Sequence, residues 1–576
     1  MPDATYFKTY ETDVLVIGGG LAGLRAALSA RKAGAKVLIV AKRQIGRSGS
    51  SVNTTGGYAA VMSDLNADDD VRLHFIDTII GGGCVNDRRL VHALAQDAPA
   101  RLRELLEMGA EFRGLNGQHH LSPSGDHSQS RVMTPKNMRG IDLTVPLREA
   151  VVAAGADFLE NCAVLDLLRD DDRIVGAVGV NRLAVEGYII KAGAVILASG
   201  GAGRLFPVTS NPVDVCGSGY ALALRAGAQL RDMEFIQFYP WRLIRPFKST
   251  RVPIQPATFA LGGRLYNSAG ERFMEAYDPV RKESTTRDLS ARGIADQISK
   301  GLSVEGGVVL DVSGVPDDRF RFENPKVIDL LGRKNVDYRT IQLIVAPEAH
   351  YFMGGVDIDE NGRANLRGLY AAGENAGGVH GGNRLNSNSV PDTQVFGHRA
   401  GVAAAVYART ATPAYGDNAT ADALAQKMSG VVVGEVSVET ELLGERLRET
   451  MGMKLGLVRD RAGLDEAVAT AHDIHGVAST APARTHGDLI AAAELVDLCE
   501  TALACAASAL CRTESRAAHY RSDFPNEDEA WIRTVLYDRN CASTRPIEID
   551  PEEGALLAFR ESHTSADSPS EREHVE

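Results

Sequence analysis

The sequence predicts an α/β protein whose parallel-sheet nucleotide domain is assembled from separated stretches of chain, interrupted by an inserted α+β domain and followed by a helical one. Three observations predict it. Residues 12–42, TDVLVIGGGLAGLRAALSARKAGAKVLIVAK, read as a buried strand, a glycine turn, a helix and a second strand. Residues 193–199, GAVILAS, make a second apolar run that enters Gly200 and Gly201, and residues 368–378, GLYAAGENAGG, make a third. One core sheet, revisited three times, accounts for all of them.

In the first unit, Val14, Leu15, Val16 and Ile17 form the strand, and Gly18, Gly20 and Gly23 occupy the glycines of G-x-G-x-x-G. Gly18 permits the tight turn, Gly20 lets a pyrophosphate approach the backbone, and Gly23 lets the helix beginning near Ala22 pack against the strand. The helix N-terminus then faces the phosphates. The second strand ends in Ala41 and Lys42, where an acidic residue usually receives the adenosine ribose. Ribose recognition is therefore expected from elsewhere, with Lys42 kept as a cofactor contact.

The 576 residues suggest two to four domains. Residues 1–233 and 354–412 are assigned to the two parts of the nucleotide domain. Residues 234–353, with the hairpin-like GGRLYNSAGERFM and the helical RDLSARGIADQISKG, form the inserted domain. Strand signals fade after that, and long amphipathic segments assign residues 413–545 to a helical domain. The small residues ALACAASA, 502–509, suit close helix packing. Residues 546–576 are read as a polar tail, disordered from about Glu561 onward.

A formal charge of −13 provides no broad basic field, which excludes nucleic acid as the main partner. No apolar run reaches the roughly 18 residues of a membrane span, and the start lacks a basic and apolar leader, so a cytoplasmic location is expected. The seven cysteines, Cys84, Cys162, Cys216, Cys499, Cys505, Cys511 and Cys541, include no C-x-x-C pair. That spacing opposes an internal iron–sulfur cluster, a structural zinc site and a disulfide framework. His119, His120 and His127 lack further ligands in a fixed pattern and are expected to line a polar loop; no metal is predicted.

The segment GLYAAGENAGGVHGGNRLNSNSVPDTQVFGHRAG, 368–401, resembles the flavin-binding end of the succinate dehydrogenase and fumarate reductase flavoprotein family, which includes L-aspartate oxidase. The resemblance continues through MEFIQFYP at Met233, GERFMEAYDP at Gly270, TTRDLSARGI at Thr285, HYFMGG at His350 and TESRAAHYRSDFP at Thr513. It implies FAD, a Rossmann-like FAD-binding domain, a capping domain over the flavin and a C-terminal helical domain. By the same resemblance Glu374 belongs at the FAD ribose region, Asn388, Ser389 and Val390 pass the flavin's pyrimidine edge, and Ser48, Gly56, Gly57, Ser199 and Gly200 join the cofactor contacts. Ser50 departs from the family's covalent members, which carry a flavin-bonded histidine there, so FAD is expected to be non-covalent. Ser218, in VCGSGYAL, stands where dehydrogenases tend to have aspartate.

The resemblance assigns Arg287 the family's proton-shuttling role, Arg384 the grip on a substrate carboxylate and His350 its assistant. The fork of an arginine suits a carboxylate better than lysine does. The other half of the pocket departs from the family. Tyr239 replaces the histidine of M-E-F-x-Q-F-H-P, Gln255 and Pro256 replace a threonine–glutamate pair, and Phe259 replaces an arginine. Tyr239, Gln255 and Phe259 are therefore expected to shape a less polar end, where a second carboxylate would be poorly paired. The implied function is FAD-dependent hydride transfer at flavin N5, with arginine-mediated proton transfer, on a carboxylate-bearing substrate other than succinate or aspartate. Alternatives are an oxidase making an imine and peroxide, and the flavoprotein subunit of an electron-transfer complex with a separate iron–sulfur partner, peripheral to a membrane through that partner. An inactive flavin-binding paralogue is disfavoured by the joint presence of Arg287, His350 and Arg384.

Overall fold

A computed structural model describes residues 7–55, 57–115, 118–124, 126–246, 252–411, 418–539, 541–549 and 553–554. The main sheet runs, in spatial order, Asp157–Leu159, Val37–Val40, Phe7–Ile17, Gly187–Leu197, Arg173–Asn181 and Cys162–Asp170, and Leu369–Ala371 adds to the strand Gly187–Leu197. The first strand pairs in parallel on both sides, Val14 with Val37 and Ala194, and Ile17 with Val40 and Leu197. Val195 pairs in parallel with Leu369. Val14, Leu15 and Val16 are fully buried, as expected of a strand covered on both faces. The three glycine turns thus follow neighbouring strands and open at the same end of one sheet.

A second sheet, of Ile236–Arg245, Leu343–Phe352, Val308–Asp311 and Arg264–Tyr266, has its own core of Trp241, Phe259, Leu265, Phe320 and Val345. Its two longest strands are antiparallel, with Tyr239 opposite Glu348. The helix Arg287–Ser299 packs on this pair and starts at Arg287 itself.

Three long helices follow, Val438–Lys454, Arg461–Thr480 and His486–Cys511, capped by the side chains of Ser437, Asp460 and Thr485. Charged pairs dock the last of them: Glu494 accepts from Lys42 Nζ at 3.0 Å and from Arg204 Nη1 at 2.8 Å, and Arg225 reaches Asp497 and Glu500. The region is not wholly helical. Arg533–Tyr537 and Ala542–Pro546 form an antiparallel hairpin joined to Leu230–Arg231 and Gly355–Val356. The tail is also not uniformly solvated, since Glu553 is buried and receives both Arg88 Nε and Nη2. The stretch expected to be disordered from Glu561 lies outside the described residues. Among the described residues all seven cysteines are free, no three His, Cys, Asp or Glu gather as a metal site, and no helix is long and apolar enough to cross a membrane.

Candidate functional site

One cleft runs from the glycine turns, between the main sheet and the inserted sheet, to a cluster of arginines. Its nucleotide end is built by close approach. Gly18 has φ +121°, and a Cβ there would lie 2.1 Å from Ala198 O; a Cβ on Gly23 would lie 1.9 Å from Gly18 O. The first contact brings the ends of two neighbouring strands together, and the second seats the helix Leu21–Lys32 tightly on its strand. The helix has no acidic residue in its first turn and ends in Arg31 and Lys32, so its N-terminus is free to face an anion.

Of the cofactor contacts expected from the sequence, Gly18, Gly20, Ala22, Lys42, Ser48, Ser50, Gly57, Ser199, Gly200, Glu374, Ser389 and Val390 all line this cleft. Gly56 lies outside the described residues. Gly23 sits behind the wall as a packing glycine. Asn388 departs from its expected place: its side chain is turned inward, where Oδ1 meets His74 Nε2 at 2.9 Å and Nδ2 donates to Thr78. Lys42 also donates to Ser218 Oγ at 3.1 Å, so its charge is shared with Ser218 and Glu494 at the strand end. Burial pushes the Glu374 carboxyl up to about 7, against the Phe352 N–H that donates to it at 3.0 Å. Open space beside Gly49 and Gly200, together with the bare helix N-terminus, fits a dinucleotide. Ser50 Oγ donates to Asn211 Oδ1 at 3.3 Å and offers no ring nitrogen for a flavin bond.

At the other end Arg287 and Arg384 converge on one acceptor. Gln237 Oε1 receives Arg287 Nη1 at 3.2 Å and Arg384 Nη2 at 2.9 Å, while the Gln237 amide donates to Asn383 Oδ1 and Arg384 O. Both guanidiniums are buried, and neither Nε has a hydrogen-bond partner. Burial, then the charge of Arg287, pushes Arg384 down to about 9. Burial, followed by the fields of Arg384 and Arg287, holds His350 well below the usual imidazole range, so it is neutral. Its Nδ1 lies 2.7 Å from Ser210 Oγ. Two buried cations and a neutral imidazole on one cleft wall form a receptor for one carboxylate.

Arg287 is further held by Asn386, whose Oδ1 accepts from Nη2 at 2.5 Å. Asn386 is fixed in turn by Asp126, which accepts its backbone N–H at 2.6 Å, and by His127, whose Nε2 lies 2.7 Å from Asn386 O. Arg131 donates to His127 Nδ1, which leaves the ring proton on Nε2. Burial works to raise the Asp126 pKa, but the fields of His127 and Arg287 and the bonds from Ser124 and Asn386 hold it below the usual carboxylate range. Sequence reasoning missed Gln237, Asn386, Asp126 and Glu348. Glu348 was not legible from strand alternation, because a register break at His350 interrupts the pairing between Tyr351 and Ala349.

The remaining wall comes from the inserted sheet. Tyr239, Gln255, Pro256, Glu348 and His350 line the cleft. The Tyr239 hydroxyl donates to Ile254 O at 2.5 Å, its ring lies 5.0 Å from the Arg287 guanidinium carbon, and burial raises its pKa. The expectation for Phe259 is corrected. It stacks on Trp241 at 4.3 Å between ring centroids, inside the core of the inserted sheet, and does not reach the cleft. Of the three histidines expected to line a polar loop, His127 is instead buried beneath Asn386, whereas His120 packs on Phe322.

Residues 13–390 match the FAD binding domain family, and residues 444–562 match the family described as fumarate reductase flavoprotein C-term. The chain is 39% identical over 538 residues to a fumarate reductase (CoM/CoB) subunit of Methanothermobacter marburgensis, a match covering 92% of this chain and 98% of that one. L-aspartate oxidase of Caulobacter vibrioides is 36% identical over 547 residues, covering 92% and 97%. Among solved structures, the E. coli quinol fumarate reductase chain FrdA aligns with a TM-score of 0.85 at 27% identity, over 94% of this chain and 98% of that chain. Mycobacterium smegmatis Sdh1 aligns with a TM-score of 0.83 at 31% identity, over 99% and 100%.

Proposed function

Because the chain belongs to the fumarate reductase and succinate dehydrogenase flavoprotein family, and is an FAD-dependent oxidoreductase, we propose that it adds or removes two hydrogens across a carbon–carbon bond beside a single carboxylate. The substrate in this reading is not succinate, fumarate or L-aspartate. Bound FAD supplies the hydride donor or acceptor. The chain supplies the rest: Arg384 and His350 hold the carboxylate, and Arg287 carries a proton to or from the neighbouring carbon.

The observation that carries the reading is the Tyr239 hydroxyl. Its one hydrogen is committed to Ile254 O, so toward the cleft Tyr239 offers a ring face and acceptor lone pairs, neither of which pairs with an anion. A second carboxylate beside Tyr239 would find no donor in that residue, and a desolvated charge left without a partner costs several kcal/mol, roughly 3–5. The test is a screen of saturated and 2,3-unsaturated acids with one or two carboxylates, following bleaching or recovery of the flavin absorbance. Efficient turnover of fumarate or succinate, with kcat/KM on the order of 10⁵ M⁻¹s⁻¹ or higher, would reject the reading.

A second reading adds to this one. The Methanothermobacter relative, which is one subunit of its fumarate reductase, favours a chain that works in a larger electron-transfer assembly. Co-purification of an iron–sulfur protein with the native enzyme supports it, and peroxide as the stoichiometric product points instead to an oxidase.

A further inference from the structure

We infer that the adenosine half of the FAD site is completed from the C-terminal helical region: Glu494, on the helix His486–Cys511, is a positioning residue that acts on the cofactor through Lys42. In a dinucleotide fold the adenosine ribose is received at the end of the second strand, usually by an acid carried there. Here the strand Val37–Val40 runs into Ala41 and Lys42, and Lys42 donates to Ser218 Oγ at 3.1 Å, both residues lining the cleft. Asp214 lines the same wall but is turned to Arg43, whose Nε lies 3.7 Å from its Oδ2. The acid that meets Lys42 comes instead from 452 residues further along the chain, where Glu494 Oε1 accepts from Nζ at 3.0 Å.

The helix holds Lys42 by its backbone as well as by its ammonium. Its first residue, His486, meets Arg182 O through Nε2 at 3.0 Å, and Arg182 Nη1 donates to Lys42 O at 3.1 Å. Asp497 accepts from the Ser218 hydroxyl, and the spacing of His486, Glu494 and Asp497 puts all three on one face of the helix. Burial works against ionisation of Glu494, but the charges of Lys42 and Arg204 hold its carboxyl below the usual carboxylate range, so it is an anion. Among the described residues the Lys42 ammonium spends two of its three N–H groups, on Ser218 and Glu494. The third remains for the cleft, beside a Ser218 oxygen whose own hydrogen is used and which still has a lone pair to offer. One donor and one acceptor side by side match a ribose, whose hydroxyls both accept and donate. Without Glu494 the ammonium sits on a flexible four-carbon stem tied only to Ser218, and the donor is no longer held in place.

The full chain, stripped of flavin with bromide, would be titrated with FAD by flavin fluorescence and then with ADP as competitor, which carries the adenosine end without the flavin. Glu494→Ala should weaken FAD by about tenfold or more, and ADP by the same factor, because a charge-assisted bond that orders the subsite is lost. Glu494→Gln keeps an acceptor for Lys42 and should recover part of that loss. Lys42→Met should weaken both ligands to a similar extent, and adding Glu494→Ala to Lys42→Met should cost less than about threefold more, since Glu494 acts through that ammonium. An FAD constant in Glu494→Ala within about threefold of wild type overturns the inference. A further loss of about tenfold in the double variant overturns it too, as does a weakened FAD with ADP unchanged; either makes Glu494 a residue that only docks the helix. If Glu494→Ala does not fold, Glu494→Gln alone and with Lys42→Met is read by the same comparisons, with a loss of about threefold or more expected for FAD and ADP alike.

Discussion

Replacing Arg287 with lysine isolates the proton step from the charge. The guanidinium makes two bonds at once, Nη1 to Gln237 at 3.2 Å and Nη2 to Asn386 at 2.5 Å. Lysine ends in a single nitrogen and cannot serve both anchors and the substrate together. Losing one charged hydrogen bond costs about 1.5–3 kcal/mol in positioning. Losing a placed proton donor, with that positioning included, costs a factor of about 10²–10⁴ in rate. We expect kcat to fall by about 10²–10⁴ in Arg287→Lys, equivalent to roughly 3–5 kcal/mol on the barrier. Flavin content should not change, because Gln237 keeps its bonds to Arg384 and Asn383 and the cofactor contacts lie elsewhere on the cleft wall. The assay is oxidation of reduced benzyl viologen by the acid preferred in the screen, together with the flavin-to-protein ratio. Turnover within about twofold of wild type would refute the shuttle, and loss of flavin would mean that Arg287 is structural.

Acid precipitation should release all of the flavin, since Ser50 cannot form the ring-nitrogen bond; colour remaining with the pellet contradicts this. Asp126→Ala should slow turnover about tenfold or more without loss of flavin, because it frees Asn386 and through it Arg287. Asp126→Asn, which keeps an acceptor for the Asn386 N–H, should recover part of that rate; equal rates in wild type and Asp126→Ala would make the bridge idle. A histidine that must be protonated to hold a carboxylate loses affinity as pH rises through its pKa. His350 is instead neutral, so it adds no step to the affinity for a monocarboxylate such as crotonate between about pH 6 and 8, and a fall across that window that disappears in His350→Asn contradicts the assignment. Glu234→Ala leaves Arg512 buried beside its remaining partner Glu514, and should lower stability by about 3–5 kcal/mol, measured as reduced thermal or denaturant midpoint.

Much of the fold was legible in the sequence because buried parallel strands are continuous apolar runs and each one entered a glycine turn. The runs ending at Ile17, Leu197 and Ala371 proved to be register partners in one sheet. The hairpin of Arg533–Tyr537 and Ala542–Pro546 was not legible, since its strands are short and its second strand, largely exposed, carries no apolar alternation. At the site, Arg287, His350 and Arg384 were found by motif, and the structure brings them into one cleft. Phe259 failed because position in a motif does not report which side of a helix faces the cleft; its ring found Trp241 instead. Asp126 and Asn386 lie 260 residues apart, and no local pattern reports a contact that only the tertiary fold creates.

The pairing of Val195, Ile196 and Leu197 with Leu369, Tyr370 and Ala371 has a consequence for biosynthesis. When residue 200 leaves the ribosome, the end of that strand nearest the glycine turns has one parallel neighbour and one bare edge, and the partner for that edge is more than 160 residues away in the chain. The intervening stretch must emerge, and its own sheet must form or wait, before the nucleotide domain can close. An unpaired apolar edge held open through that interval is a template for association with other chains. Glu374, Ser389 and Val390, which line the nucleotide end of the cleft, emerge later still, so that wall is complete only in chains in which about two-thirds of translation is done.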